Sequence, residues 1–283
     1  MQVNEFYIQS GTGKELYGRS WTPDENPRAA IAILHGLGDH IGRYENFAGF
    51  FTGNQMAVIG IDLPGHGRSG GKRGHMGDFP LILTDVLQLM LEARRRFSDI
   101  PIFLFGHNLG GNIAISYAIR QSSKEIMGVI LSAPLIQPTG MHISQKMLSY
   151  LPVGRFFPSF TMSFTLDPME LSHDPSTGIH YLNDPDKHDR ISVRLYHQLT
   201  KSSQWIMENA GRMSYALLVM HGRDDRIMPW ETSGKLVEKI PGNAELKIWE
   251  EMRHELHHEK SKILVLNYML TWMQSFLEER KTG

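Results

Sequence analysis

Continuous apolar runs, each closed by turn residues, recur along the chain. Ala29–Leu34 (AAIAIL) ends at His35-Gly36-Leu37-Gly38, and Met56–Ile61 (MAVIGI) ends at Asp62-Leu63-Pro64-Gly65. Pro101–Phe105 (PIFLF) runs into Gly106, Ile126–Leu131 (IMGVIL) into Ser132-Ala133-Pro134, and Tyr215–Met220 (YALLVM) into His221-Gly222. Short runs with no polar alternation fit strands buried on both faces of a parallel sheet. Ala244–Trp249 (AELKIW) is more polar, as suits an edge strand, and Glu5–Gln9 with Glu15–Thr22 reads as an antiparallel pair at one sheet edge.

Helical periodicity fills the intervals. It predicts helices over Phe79–Phe97, Leu109–Arg120, Thr232–Lys239 and Ser261–Arg280. In the first of these Asp85 comes early and Arg94, Arg95 and Arg96 come late, which complements the helix dipole. Strands alternating with helices imply a mostly parallel α/β sheet with right-handed crossovers. From about Ile136 to Met207 the alternation stops, and Pro138, Pro152, Pro158, Pro168, Pro175 and Pro185 punctuate short helical pieces rich in aromatics and methionines. This block, 136–207, reads as a lid inserted after the sixth strand, and residues 1–135 and 208–283 read as the core. A lid there covers the carboxyl edge of the sheet, where open α/β sheets bind ligands.

Composition narrows the chemistry. With 29 Lys+Arg against 30 Asp+Glu, the formal charge of −1 gives no electrostatic footprint for nucleic acid. The absence of cysteine removes disulfides, thiolate zinc sites and thiol nucleophiles together. No signal-peptide pattern opens the chain and no apolar stretch is long enough to span a bilayer, so the expectation is a cytoplasmic globular protein.

The chemically suggestive segment is Gly106-His107-Asn108-Leu109-Gly110-Gly111, set between a strand and a helix. That is the context of a nucleophile elbow, where glycines permit a sharp turn that lifts the central side chain above the sheet. Asp225 and His254 follow in the required order, each on a loop after a strand. In a parallel sheet those loops share one edge, so Asn108, Asp225 and His254 can converge. Asp224 is the nearest competitor to Asp225. The backbone amides of Leu109 and of Leu37 stand where an oxyanion hole would draw its donors, one such donor contributing roughly 3 kcal/mol.

At these residues the chain resembles the monoacylglycerol lipases and lysophospholipases of the α/β-hydrolase superfamily. His35-Gly36-Leu37-Gly38-Asp39-His40-Ile41-Gly42-Arg43-Tyr44 is similar to their HGxGEHxxRY segment, and Asp62-Leu63-Pro64-Gly65-His66-Gly67-Arg68-Ser69 to their DxxGHGxS loop. The elbow resembles GHSMGG, and His254-Glu255-Leu256 resembles the HEL around the family's histidine. Asn183-Asp184-Pro185 matches a lid signature. The resemblance implies an α/β-hydrolase fold, a Ser-Asp-His mechanism on lipid esters, and neither cofactor nor metal; G-x-x-D spacing from Gly222 favours Asp225 over Asp224.

One departure changes the expected activity. Asn108 stands where the family has serine, and a carboxamide offers no hydroxyl for His254 to deprotonate. Asparagine does tolerate the positive φ of an elbow. The expectation is therefore a site whose fold is kept and whose chemistry is impaired. The presence of both Asp225 and His254 favours a recent or deliberate Ser→Asn change over a long-abandoned site. The expected partner is a small lipid ester or fatty-acyl ligand, with peripheral membrane contact through the lid; oligomeric state is left open. The alternative is a non-catalytic acyl-ligand-binding protein. A third reading takes Asn108 as a stand-in for the aspartate nucleophile of dehalogenases and epoxide hydrolases on this fold. Met141, Met147, Met162 and Met169 are candidate linings of an acyl tunnel.

Three other motif matches lack their structural context. Gly67-Arg68-Ser69-Gly70-Gly71 is a literal G-x-S-x-G with no helix after it, and the overlapping G-x-G-x-x-G from Gly65 opens no helix either. His254-Glu255-Leu256-His257-His258 matches H-E-x-x-H but lies in a loop, with His257 and His258 expected to be solvated. His35 and His107 are expected to be packed supports.

Overall fold

The computed structural model describes residues 1–121, 126–136 and 156–282. An antiparallel pair, β1 (Gln2–Gln9) and β2 (Glu15–Thr22), leads into β3 (Ala29–Leu34), α1 (Glu45–Gly53) and β4 (Met56–Ile61). Then come α2 (Phe79–Arg96), β5 (Ile102–His107), α3 (Leu109–Arg120) and β6 (Gly128–Ser132). The stretch that follows contains β7 (Thr161–Ser163), α4 (Pro175–Asn183), β8 (Arg190–Ser192) and α5 (Val193–Asn209). The chain closes with β9 (Ala216–Gly222), α6 (Glu231–Val237), β10 (Ala244–Trp249) and α7 (Lys262–Thr282).

Eight strands form one sheet in the order β1-β2-β4-β3-β5-β6-β9-β10. Pairing is parallel from β4 to β10, and β2 joins β4 antiparallel, Gly18 facing Ile61. The continuous apolar runs are explained by the two faces they serve. In β3, Ala30, Ala32 and Leu34 pack towards α2 and α3, while Ala29, Ile31 and Ile33 pack towards α1 and α7. A two-residue period with both sets buried leaves no polar alternation to see. This helix–sheet–helix sandwich is the α/β-hydrolase fold. No helix among the described residues is long and apolar enough to cross a membrane.

The strands and the four predicted helices stand within a few residues of their expected places. Helix α1 goes beyond that reading. It is short and contains Gly49 and Gly53, and it is held by burial of Phe47, Ala48 and Phe51 rather than by intrinsic propensity. In the inserted block, β7 pairs antiparallel with β8, Met162 opposite Ile191. Helix α5 crosses the boundary expected at 207/208. Its second half is bolted to α3: Ser202 Oγ donates to Asn112 Oδ1 at 2.7 Å, and Asn112 Nδ2 donates to Ser203 Oγ at 3.1 Å. Leu195, Leu199 and Ile206, on the earlier side of that expected boundary, join the same apolar cluster as the sheet. Pro138, Pro152, Met141 and Met147 lie outside the described residues.

Candidate active site

Two loops and one elbow at the carboxyl edge of the sheet carry the expected residues. Asn108 sits between β5 and α3 with φ 49° and ψ −111°. The turn closes this tightly because a Cβ on Gly110 would lie 2.0 Å from Leu34 O, and one on Gly106 would lie 2.4 Å from Gly110 O. Only hydrogen fits at either place, so the glycines are dictated by approach of backbone to backbone.

The structure brings Asn108, Asp225 and His254 together. His254 Nδ1–H donates to Asp225 Oδ2 at 2.7 Å, and Asn108 Nδ2 donates to His254 Nε2 at 3.1 Å. At the other end of the carboxamide, Asn108 Oδ1 accepts from Leu37 N–H at 3.3 Å. That contact fixes which end of the amide is oxygen, and so which end faces the imidazole. The Leu109 N–H is the first of α3, with no carbonyl one turn back to receive it. The Asn108 oxygen occupies the approach to the Leu37 amide.

Asp225 is held from four sides. Oδ1 accepts from Ile227 N–H and Met228 N–H at 2.8 and 2.9 Å, and Oδ2 accepts from His221 Nε2–H at 2.9 Å as well as from His254. His221 Nδ1 in turn accepts from Ser233 Oγ at 2.8 Å, which sets its tautomer. Burial alone favours the neutral acid, but the positive character of His254 and the hydrogen bonds from His221 and His254 outweigh it and hold Asp225 well below the usual carboxylate range. Burial likewise disfavours a charged His254, yet Asp225 leaves its pKa raised. Asp224 points elsewhere, 3.6 Å from His173 Nε2. His221 escaped the sequence reading as a participant; its spacing of four residues from Asp225 across a tight turn is the signal that marks it.

The supporting loops behave as packing elements. His35 Nδ1–H donates to Gly36 O at 2.8 Å and its Nε2 accepts from Leu63 N–H at 2.9 Å, tying the two glycine-rich loops together. His107 donates to Ser132 O at 3.0 Å, and burial followed by the nearness of His254 pushes its pKa down to about 3, so it stays neutral. Ser69 Oγ donates to Asp62 O and accepts from Tyr17 N–H, so the literal G-x-S-x-G serine is a loop fastener. No helix follows Gly65 and Gly67 until α2 at Phe79. His257 is not solvated as expected. It is buried and stacked on Tyr44 with ring centroids 4.9 Å apart, because Leu256–His258 forms a single 3-10 turn that folds under His107.

A cavity of about 340 Å³ opens over this constellation. Its apolar wall comes from Leu37, Phe164, Leu166, Leu171, Ile227 and Met228, and its polar end from Asp39, Arg43, Tyr181 and Glu255. At that end Arg43 Nη1 and Nη2 donate to Glu255 Oε1 and Oε2 at 2.7 and 2.6 Å, while Nη1 also donates to Asp39 at 3.1 Å. Burial opposes every charge here, yet Arg43 holds both carboxyls below their usual range. Two of the methionines offered as tunnel lining do not line the cavity: Met162 is packed in the core and Met169 is exposed.

The chain resembles known proteins over nearly its whole length. The chain is 31% identical over 260 residues to a monoacylglycerol lipase of Mycolicibacterium smegmatis, covering 91% of this chain and 92% of that one. It is 32% identical over 269 residues to an abhydrolase domain-containing protein of Dictyostelium discoideum, covering 93% of this chain but spanning only 28% of that longer protein. The crystal structure of Paleococcus ferrophilus monoacylglycerol lipase superposes with a TM-score of 0.82 at 29% identity, over 92% of this chain and 99% of that one. The profile of the serine aminopeptidase S33 hydrolases matches residues 25–261, and the chain belongs to that family.

Proposed function

We propose that this is a lipid-ester hydrolase site of monoacylglycerol or lysophospholipid type, complete except for the nucleophilic oxygen. A serine at position 108 would attack the ester carbonyl, with His254 taking its proton and passing it to the leaving alcohol. Asp225 would orient His254 and stabilise the imidazolium, and the Leu37 and Leu109 amides would receive the oxyanion. The apolar wall suits an acyl chain, and the Arg43-Asp39-Glu255 end suits a polar head group. In this reading residues 136–207 act as the lid, and exposed Phe156 (77%), Phe157 (65%), Ile179 and Leu182 offer it a membrane-facing surface. No metal or cofactor takes part.

The observation that carries the reading is the carboxamide of Asn108, bonded to His254 on one side and to Leu37 on the other. It holds the place of the nucleophile without an ionisable hydroxyl, so the chain as it stands binds substrate and turns it over little. Hydrolysis of a chromogenic short-chain ester by this chain and by Asn108→Ser tests this. A gain of at least about a hundredfold in the variant is expected, on the scale that nucleophile activation contributes; equal, high activity in both would overturn the proposal. The second reading, an acyl-ligand-binding protein without catalysis, is favoured by the same two hydrogen bonds if Asn108→Ser binds fatty-acyl ligands yet remains inert.

A further inference from the structure

In an acyl-transfer site the carbonyl under attack points its oxygen at the oxyanion donors, and its leaving group lies beside the imidazole. The side chain of Asn108 itself meets that description. Oδ1 lies 3.3 Å from the Leu37 nitrogen and Nδ2 lies 3.1 Å from His254 Nε2. The residue is 7% exposed and forms part of the cavity wall. We propose that Asn108 is the substrate of a slow hydrolysis of its own carboxamide, carried out by His254 and the Leu37 amide, which converts the residue to aspartate in the folded protein. The proposal rests on reading these groups as an ester-hydrolysing apparatus.

The step balances without any oxidant or reductant. A water oxygen bonds to Cγ, and His254 Nε2 accepts the proton that water releases. Negative charge grows on Oδ1, where Leu37 N–H already donates. As Cγ becomes tetrahedral, Nδ2 loses its conjugation with the carbonyl and its lone pair becomes a proton acceptor. The 3.1 Å contact to His254 then reverses direction, and the imidazolium protonates the departing nitrogen. The Cγ–N bond breaks and ammonia leaves, and the carboxylic acid that remains passes its proton to the now neutral His254 Nε2, leaving a carboxylate beside an imidazolium. Asp225, fixed by four donors, stabilises the imidazolium throughout. The carboxylate product sits between an imidazolium and backbone amides, which favours its charged form.

The test incubates the intact chain near neutral pH in water enriched in heavy oxygen and follows the peptide containing Asn108 by mass spectrometry. Expected is conversion of Asn108 to aspartate with one heavy oxygen in the side chain, while the fully buried Asn112 stays unchanged. His254→Ala is expected to slow the conversion roughly a hundredfold, within the range of general acid–base catalysis. His254→Gln serves as a second variant, and circular dichroism verifies that both are folded. Three results would overturn the proposal: no conversion, conversion at the same rate in folded His254 variants, or a mixture with isoaspartate, which marks attack by the Leu109 backbone nitrogen instead. Ester hydrolysis by Asn108→Ser is scored separately. An active serine variant beside an unchanging Asn108 would refute self-hydrolysis alone; an inactive one would refute the ester-hydrolase reading.

Discussion

His254 carries a charge balance that the pH dependence of a repaired enzyme must report. Burial pulls its pKa down, Asp225 more than compensates, and the net shift is upward from the ordinary 6.5. Only neutral imidazole can accept a proton from a serine, so activity of Asn108→Ser should fall on the acid side through a pKa above 6.5. A limb centred below the ordinary histidine value would refute the Asp225–His254 coupling. Adding Asp225→Asn should remove the coupling and cost about 10⁴-fold in kcat, since the amide presents an N–H to the histidine and favours the wrong tautomer. At this scale the sequence was informative where chemistry follows from order along the chain: Asn108, Asp225 and His254 could be picked out because each follows a strand. His221 offers only its spacing of four residues from Asp225, and a histidine before Gly222 looks like turn punctuation until its ring is seen bonded to Asp225.

The segment from Glu170 to His173 grips the loops that carry the acid and the base. Glu255 N–H donates to Leu171 O at 2.8 Å, and Glu170 lies 3.2 Å from Arg226 and 3.9 Å from Arg253, the residues beside Asp225 and His254. The buried carboxylate of Glu259 closes the clasp. It accepts from Arg253 N–H at 2.7 Å, from His173 N–H at 3.0 Å and from Ser172 Oγ at 3.1 Å. Glu259→Ala would leave those backbone donors unsatisfied, with a loss of about 3 kcal/mol in stability by denaturant titration. Amide hydrogen exchange should rise together in 171–174 and 251–259; a rise in only one of them would show that the clasp does not couple the two segments. None of this was legible beforehand, because Glu259 precedes a helix and reads as an ordinary solvated start. Helix and strand positions were legible because their periods are local; a contact between residues 86 apart has no period.

Across the whole molecule, the central strands were readable because burial on two faces erases polar alternation, whereas residues 156–207, whose α5 is fixed by contacts with α3, were readable only as an interruption. One carboxylate shows how far tertiary burial governs the energetics. Asp85, an early residue of α2, reads in the sequence as a dipole complement on a helix, yet it is fully buried and reaches the β1–β2 turn, where Oδ1 accepts from Gly11 N–H at 2.8 Å. Its Oδ2 is buried with no hydrogen bond among the described residues. Burial pushes its pKa up to about 6 from 3.8, against the opposing effect of that amide. The native state therefore keeps a proton that the unfolded chain has already lost, and the associated stability is present below about pH 4 and lost as pH rises through 6. Moving this pKa from 3.8 to about 6 corresponds to ~3 kcal/mol. Asp85→Asn retains the acceptor for Gly11 and has nothing to ionise. Urea titrations should find the two proteins equal near pH 4 and the variant more stable by ~3 kcal/mol at pH 7. Parallel stability profiles would mean that water or a rearranged turn solvates the carboxylate, and that α2 is not sealed against the hairpin.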